Sequence, residues 1–133
     1  MQEIIYLEPG GGLSFGNYVS KEKLKSNDFE VSGDIYKVKT HSEITRVEKN
    51  GKLLYESVPG SLVRQFKLSE RECNFTISGS SNAQITLELE PEKEYNILIS
   101  GGSLGASKAN SSGKLMFSLE LDENQKEINI ERI

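Results

Sequence analysis

The chain has one histidine, His41, and one cysteine, Cys73, so a Cys/His metal site, a Cys-x-x-Cys redox pair and an intrachain disulfide are excluded. His41 stands in Lys39-Thr40-His41-Ser42-Glu43, where a histidine and a carboxylate two residues apart can share a face and exchange a proton. No nucleophile or metal partner lies near it in sequence, and an exposed turn between two strands is the expectation. Cys73 alternates with Phe75 and Ile77, which is the position of a small buried hydrophobe rather than a reactive thiol. Glu8-Pro9-Gly10-Gly11-Gly12 has the glycines of a phosphate loop, but strand-like Leu13-Ser14-Phe15-Gly16 follows instead of a helix, so a tight chain reversal is expected. Asp28, Glu30 and Asp34, and again Asp122, Glu123 and Asn124, offer hard oxygens without the spacing of a calcium loop. No metal and no cofactor is expected.

Binding chemistry is better represented than catalytic chemistry. Lys21, Lys23 and Lys25 share one parity, and Lys37 and Lys39 share another. Adjacent strands carrying them would make a basic stripe for an anionic glycan or polymer, although lysines more commonly guard exposed sheet edges. Tryptophan is absent, so stacking on a sugar would fall to tyrosines. Tyr18, Tyr36 and Tyr55, with Lys37, Lys39 and Arg46, are therefore the candidate ligand-contacting set. Ile4-Ile5 and Leu53-Leu54 put apolar groups on both faces of their strands, as happens where a neighbouring chain covers the outer face. These four are the candidate self-association residues.

The elements that would position these residues read as strands throughout, with no sustained period of 3.6. Cys73, Phe75 and Ile77, then Ile85, Leu87 and Leu89, then Tyr95, Ile97 and Ile99 lie on alternating positions, as do Leu115, Phe117, Leu119 and Leu121, and Ile128 and Ile130. On the same parity rule Phe66 and Leu68 belong to the core, with Leu62 and Arg64 on their face. A weaker strand is expected over 103–109. Turn residues separate these runs, and strands so closely spaced over 61–133 indicate an antiparallel sandwich of immunoglobulin type. Before that, residues 3–7, 13–19, 34–39, 44–49 and 52–57 read as strands, and 21–27 as a short helical turn or an extended edge. Asn50-Gly51 is a hairpin signal, and Val58-Pro59-Gly60 is the best boundary. The expectation is an all-β chain: an N-terminal β module over 1–60 packed with an immunoglobulin-like β-sandwich over 61–133.

Two resemblances bear on these segments. The stretch LELEPEKEYNILISGGSLGASKANSSGKLMFSLELDENQKEINI resembles the last strands of immunoglobulin-like sandwiches in bacterial surface proteins and glycoside hydrolases. That likeness implies a fold. LSFGNY, DFEVSGDIYKVKTHSEITRVEKNGKLLYESVPG and QITLELEPEKEYNILI together resemble short clostridial-type bacterial proteins labelled endosialidase. The label implies a glycan hydrolase, which needs clustered arginines for the sugar carboxylate and an acid-activated tyrosine. Arg46, Arg64, Arg71 and Arg132 are scattered over different segments, and 133 residues are too few for a propeller.

Composition narrows the partners. A formal net charge of −4 argues against nucleic acid, and the longest apolar run is too short for a membrane span. The first nine residues lack a signal-peptide pattern, which points to the cytoplasm while leaving unconventional export open. The function expected is therefore a non-enzymatic structural or interaction β protein. It would self-assemble as a homo-oligomer or dock on a larger bacterial protein. A carbohydrate-binding module is the alternative, and an endosialidase-type hydrolase ranks last.

Overall fold

The structure, a computed structural model, describes residues 4–133. It is all-β, with two antiparallel sheets and no helix among the described residues. In chain order the strands are β1 (Ile5–Leu7), β2 (Leu13–Phe15), β3 (Leu24–Val31), β4 (Asp34–His41), β5 (Ile44–Lys49), β6 (Lys52–Val58) and β7 (Ser61–Leu68). Then follow β8 (Glu72–Gly79), β9 (Ala83–Glu88), β10 (Glu94–Ile99), β11 (Gly102–Lys108), β12 (Lys114–Leu119) and β13 (Lys126–Arg132). Residue 3, the first of the strand read over 3–7, lies outside the described residues.

One sheet has seven strands in the order β1-β2-β7-β8-β13-β10-β11, and the other has six in the order β12-β9-β6-β5-β4-β3. Each sheet takes strands from both 1–60 and 61–133, and one hydrophobic cluster runs through both segments. Val58-Pro59-Gly60 is the place where the chain leaves the six-stranded sheet for the seven-stranded one. In the 61–133 segment the seventh strand, β13, sits between β8 and β10. The immunoglobulin order would instead pair it with the sixth. The sandwich is present with a strand order of its own.

Period-two alternation builds the core as expected. Phe66, Phe75, Ile77, Ile85, Leu87, Tyr95, Ile97, Leu115, Phe117, Leu119, Ile128 and Ile130 are buried. Three expected core residues depart from this: Leu89 and Ile99 are half-buried, and Leu68 is 42% exposed. Leu68 shares the parity of Phe66 and is exposed as the last residue of β7; earlier in the same strand a bulge changes the parity. Register slips between Arg64 and Lys67, and Gln65 takes a left-handed φ of 57°. Val63 and Phe66 consequently both face inward, while Leu62 moves to the outer face.

Four aromatic rings mark where the sheets meet. Tyr55 from β6 projects among Phe15, Phe66 and Phe75 of the opposite sheet, with ring centroids 5.1, 6.3 and 6.0 Å away. All three contacts are edge-on, the arrangement the ring quadrupole favours. The reading of 21–27 as a possible helical turn resolves to the extended alternative, since β3 begins at Leu24 as an edge strand.

Candidate functional site

Hairpin register brings basic residues together on the outer face of the six-stranded sheet. Lys25 of β3 pairs with Lys39 of β4, Lys39 with Arg46 of β5, and Arg46 with Glu56 of β6. Lys37 pairs with Glu48. Neighbouring strands are about 4.8 Å apart, and residues two apart on a strand about 6.6 Å, so the three lysines form a compact triangle. They border a shallow depression of 220 Å³ whose lining also includes Asn27, Arg46 and Glu48.

The four cations differ in what holds them. Arg46 is neutralised locally: its Nη1 lies 2.5 Å from Glu56 Oε2, and its Nε lies 3.6 Å from Glu48 Oε2. Lys25, Lys37 and Lys39 form no ion pair among the described residues. Edge protection accounts for Lys25, because β3 ends its sheet. It does not account for Lys37 and Lys39, because β4 is covered on both sides by β3 and β5. Three of the six expected ligand residues, Lys37, Lys39 and Arg46, are thus brought together. Lys25, Asn27, Glu48 and Glu56 join them through cross-strand register, which parity within one strand does not reveal.

The tyrosines behave differently. Tyr55 is fully buried and Tyr36 is 8% exposed, so neither presents a ring face to a ligand. The reason is parity: each lies on the inward side of its strand, Tyr36 with Val38 and Tyr55 inside the aromatic cluster. Burial pushes both phenols above their ordinary pKa, with Asp34 adding to the effect at Tyr36. Tyr18 is half-buried and lines a separate groove of 710 Å³ with Tyr6, Asn17, Val19 and Leu62. It does not border the basic depression.

The self-association residues are also placed differently from expectation. Ile4, Ile5 and Leu54 are buried in the chain's own core, and Leu53 is half-buried. Ile4, Ile5 and Leu54 join the chain's own hydrophobic cluster, Leu54 at a β5–β6 register shift beside Tyr55, whereas Leu53 pairs with Glu48 on the outer face. His41, expected at an exposed turn, is 7% exposed. Its Nδ1 accepts the Glu43 backbone N–H at 3.4 Å and makes no bond with the Glu43 carboxylate. Cys73 is buried, and burial pushes its thiol up to about 12.

Beneath the basic face lies a polar hub that parity alone did not single out. Thr40, Thr45, Ser57 and Ser61 are fully buried. Thr40 Oγ1 lies 2.7 Å from Thr45 Oγ1, and Thr45 Oγ1 accepts the Ser61 N–H at 3.0 Å. Ser61 Oγ lies 2.7 Å from Tyr55 Oη and 2.6 Å from Ser57 Oγ. Asn17 closes the other end, its N–H donating to Thr40 Oγ1 at 2.9 Å. These hydroxyls satisfy one another, so the hub locks the β6–β7 crossover. Gly60 is required there, since a Cβ would meet the His41 carbonyl oxygen at 2.0 Å.

The remaining candidates resolve locally. Glu8-Pro9-Gly10-Gly11-Gly12 is the reversal between β1 and β2, closed by the Glu8 N–H on the Gly12 carbonyl. The buried Glu8 carboxylate accepts from Gln65 Nε2 at 2.7 Å and pairs with Arg64 at 3.3 Å, pinning the reversal over the β7 bulge. The Asp34 carboxylate is occupied by Asn50 Nδ2 and Lys49, and Asp122 by the Asn124 N–H. Arg46 and Arg64 lie on different sheets, whereas the Arg132 N–H bonds the Arg71 carbonyl. Comparison of the chain with family models, curated proteins and solved structures finds no match in any of the three.

Proposed function

We propose that the protein is a non-enzymatic interaction module that docks an extended, negatively charged partner on the outer face of β3–β5. The observation that carries this reading is the pair Lys37 and Lys39 on an internal strand. Both lack an ion-pair partner among the described residues; Lys39 is flanked by Lys25 and Arg46, and Lys37 stands beside it opposite Glu48. A protein of net charge −4 that places three unpaired lysines side by side creates a local positive field against its own background. Lysines are point charges on flexible stems, which suits repeated charges along a polymer better than one rigid bidentate group. The buried hydroxyls support the absence of catalysis, because they are consumed by each other.

Titration with a sulfated and a carboxylated polysaccharide across a salt series tests this. Binding should weaken steeply as salt rises, because exposed charges are screened. It should be lost in the double variant Lys37→Glu/Lys39→Glu. Salt-independent binding, or none to either polymer, would overturn the reading. Binding of neutral carbohydrate is a second reading, favoured by the groove where Tyr6 and Tyr18 stand beside Val19, which is 77% exposed.

A further inference from the structure

The two ends of the sandwich are finished differently. At one end the β6–β7 crossover at Gly60 lies against the His41 carbonyl, and buried Leu121 lies against Gly79, which closes the core. At the other end the turns 8–12, 50–51, 69–71 and 89–93 border an open groove between the two sheets. It consists of three adjoining depressions of 260, 340 and 380 Å³. Leu68 borders all three; the first two share Lys49 and Leu54, and the last two share Lys52 and Glu88. The floor is apolar and wet: Leu7 is 48% exposed and Leu68 42%, and Leu53 and Leu89 are half-buried. Apolar surface gathered in one groove with a polar rim is the usual mark of a binding site.

Charge changes sign along the groove. The first depression is bordered by Lys49 and Lys67, with no carboxylate among its described lining residues. The second has Lys49, Lys52 and Glu88, and the third sets Lys52 against Glu70, Glu72, Glu88 and Glu90. Part of this charge is already engaged. Lys49 lies 3.6 Å from Asp34 and Glu88 3.7 Å from Lys114, and the Glu72 carboxylate accepts from Asn74 Nδ2 at 3.3 Å. Lys52, Lys67, Glu70 and Glu90 form no ion pair among the described residues. The turns that carry the acids are held in place: Tyr95 Oη accepts the Glu90 N–H at 3.1 Å, and Ser69 Oγ accepts the Glu72 N–H at 3.2 Å. The free charges are therefore a lysine at one end, a lysine at the middle and two glutamates at the other end.

We infer that this groove holds a segment of a partner polypeptide. The segment carries acidic side chains at the Lys67 end, apolar side chains over Leu68 and basic side chains at the Glu70 and Glu90 end. The combination of chemistries selects the class of occupant. An anionic polysaccharide offers neither cations nor apolar side chains, and a fatty acid carries charge at one end only. A small ligand fills one depression rather than three. A polypeptide sets both signs of charge around an apolar centre, and matched charges along a groove fix its register and exclude other partners. The groove shares no lining residue with the basic depression on the outer face, so either site stands if the other fails.

Fluorescence polarisation with three labelled synthetic peptides tests this. Each has leucines alternating with serines at its centre. One carries a pair of aspartates at one end and a pair of lysines at the other, one has aspartates at both ends, and one has lysines at both. The first should bind about tenfold tighter than the others, since each of those sets like charges together at one end of the groove. Leu68→Asp, at an exposed position, should weaken the first peptide about tenfold or more. In Glu70→Lys/Glu90→Lys the preference should pass to the peptide with aspartates at both ends. That switch is a gain of binding and cannot come from a misfolded chain. Amide shifts with the first peptide should fall at Leu7, Leu53, Leu68 and Leu89. No binding of the first peptide, equal binding of all three, a preference unchanged in the double variant or shifts confined to Lys37 and Lys39 would overturn the inference. A dimer in sedimentation that Leu68→Asp dissolves would make a second copy the occupant and overturn it as well.

Discussion

Alternate residues of β4 obey opposite rules. Thr40, on the inward side, lies fully buried with Asn17 and Thr45 both in hydrogen-bond reach. Lys37 and Lys39, on the outward side of the same strand, have no ion-pair partner among the described residues. Inside, an unmatched polar group costs its full desolvation, so the fold had to supply partners. Outside, water serves, and the fold demands nothing of those positions. The comparison separates polar residues that build the molecule from those left for something else to bind.

Breaking the interior should cost most. Tyr55→Ala empties the centre of the aromatic cluster and strips Ser61 Oγ of a partner. Urea unfolding should register a loss of about 3–5 kcal/mol. Gly60→Ala drives a methyl into the His41 carbonyl, and the same measurement should show a loss of about 1–3 kcal/mol or more. Thr45→Val keeps the shape and removes the hydroxyl that joins Thr40 to the Ser61 N–H. It should cost about 1–3 kcal/mol, the range for buried groups left unsatisfied.

Alkaline pH probes the same interior without mutation. Cys73 and Tyr55 are held protonated by burial, so their folded pKa values exceed the ordinary 9.0 and 10.0. The stability they contribute is complete below those ordinary values and is lost as pH rises above them. Unfolding midpoints should therefore begin to fall near pH 9 and fall faster above pH 10. In Cys73→Ala the first part of that decline should disappear. A midpoint that stays flat through pH 11 (roughly the middle of the affected window) would contradict the burial of both groups.

The outer face should give the smallest stability effect and the largest functional one. Lys37→Glu/Lys39→Glu should change unfolding free energy by no more than about 0.5 kcal/mol, as for surface positions away from structural features. Its affinity for an anionic polymer should fall about tenfold or more, since two exposed charge contacts at up to about 1 kcal/mol each are reversed. A variant that loses both stability and binding would erase the distinction between the two sides of β4.

Much of the fold was legible because alternation is a local signal. Cys73 to Ile77, Ile85 to Leu87 and Leu115 to Leu119 face inward as their parity requires. At β7 the bulge at Gln65 inserts an uncounted residue, so the inferences about Leu62 and Val63 before it change face, whereas Leu68 keeps the parity of Phe66 and is exposed as the last residue of the strand. β3 was ambiguous for the same reason, since its register breaks between Ser26 and Phe29. The site was half legible. Lys37 and Lys39 share a face by spacing alone, whereas their company with Lys25 and Arg46 depends on which strands pair. Tyr36 and Tyr55 follow parity rather than ligand chemistry, Tyr36 facing inward with Val38 and Tyr55 on the inward side of β6. The apolar pairs expected at a contact between chains resolve locally: Ile4 and Ile5 both enter the chain's own core, and at Leu53-Leu54 a β5–β6 register shift turns Leu54 inward while Leu53 stays opposite Glu48.

Backbone amide shifts followed during titration with an anionic polysaccharide test the central claim most directly, because they report where the ligand sits. The account predicts that perturbations concentrate at Lys25, Asn27, Lys37, Lys39 and Arg46 and saturate together. Shifts concentrated at Tyr6, Tyr18 and Leu62, or spread evenly over the surface, would contradict it.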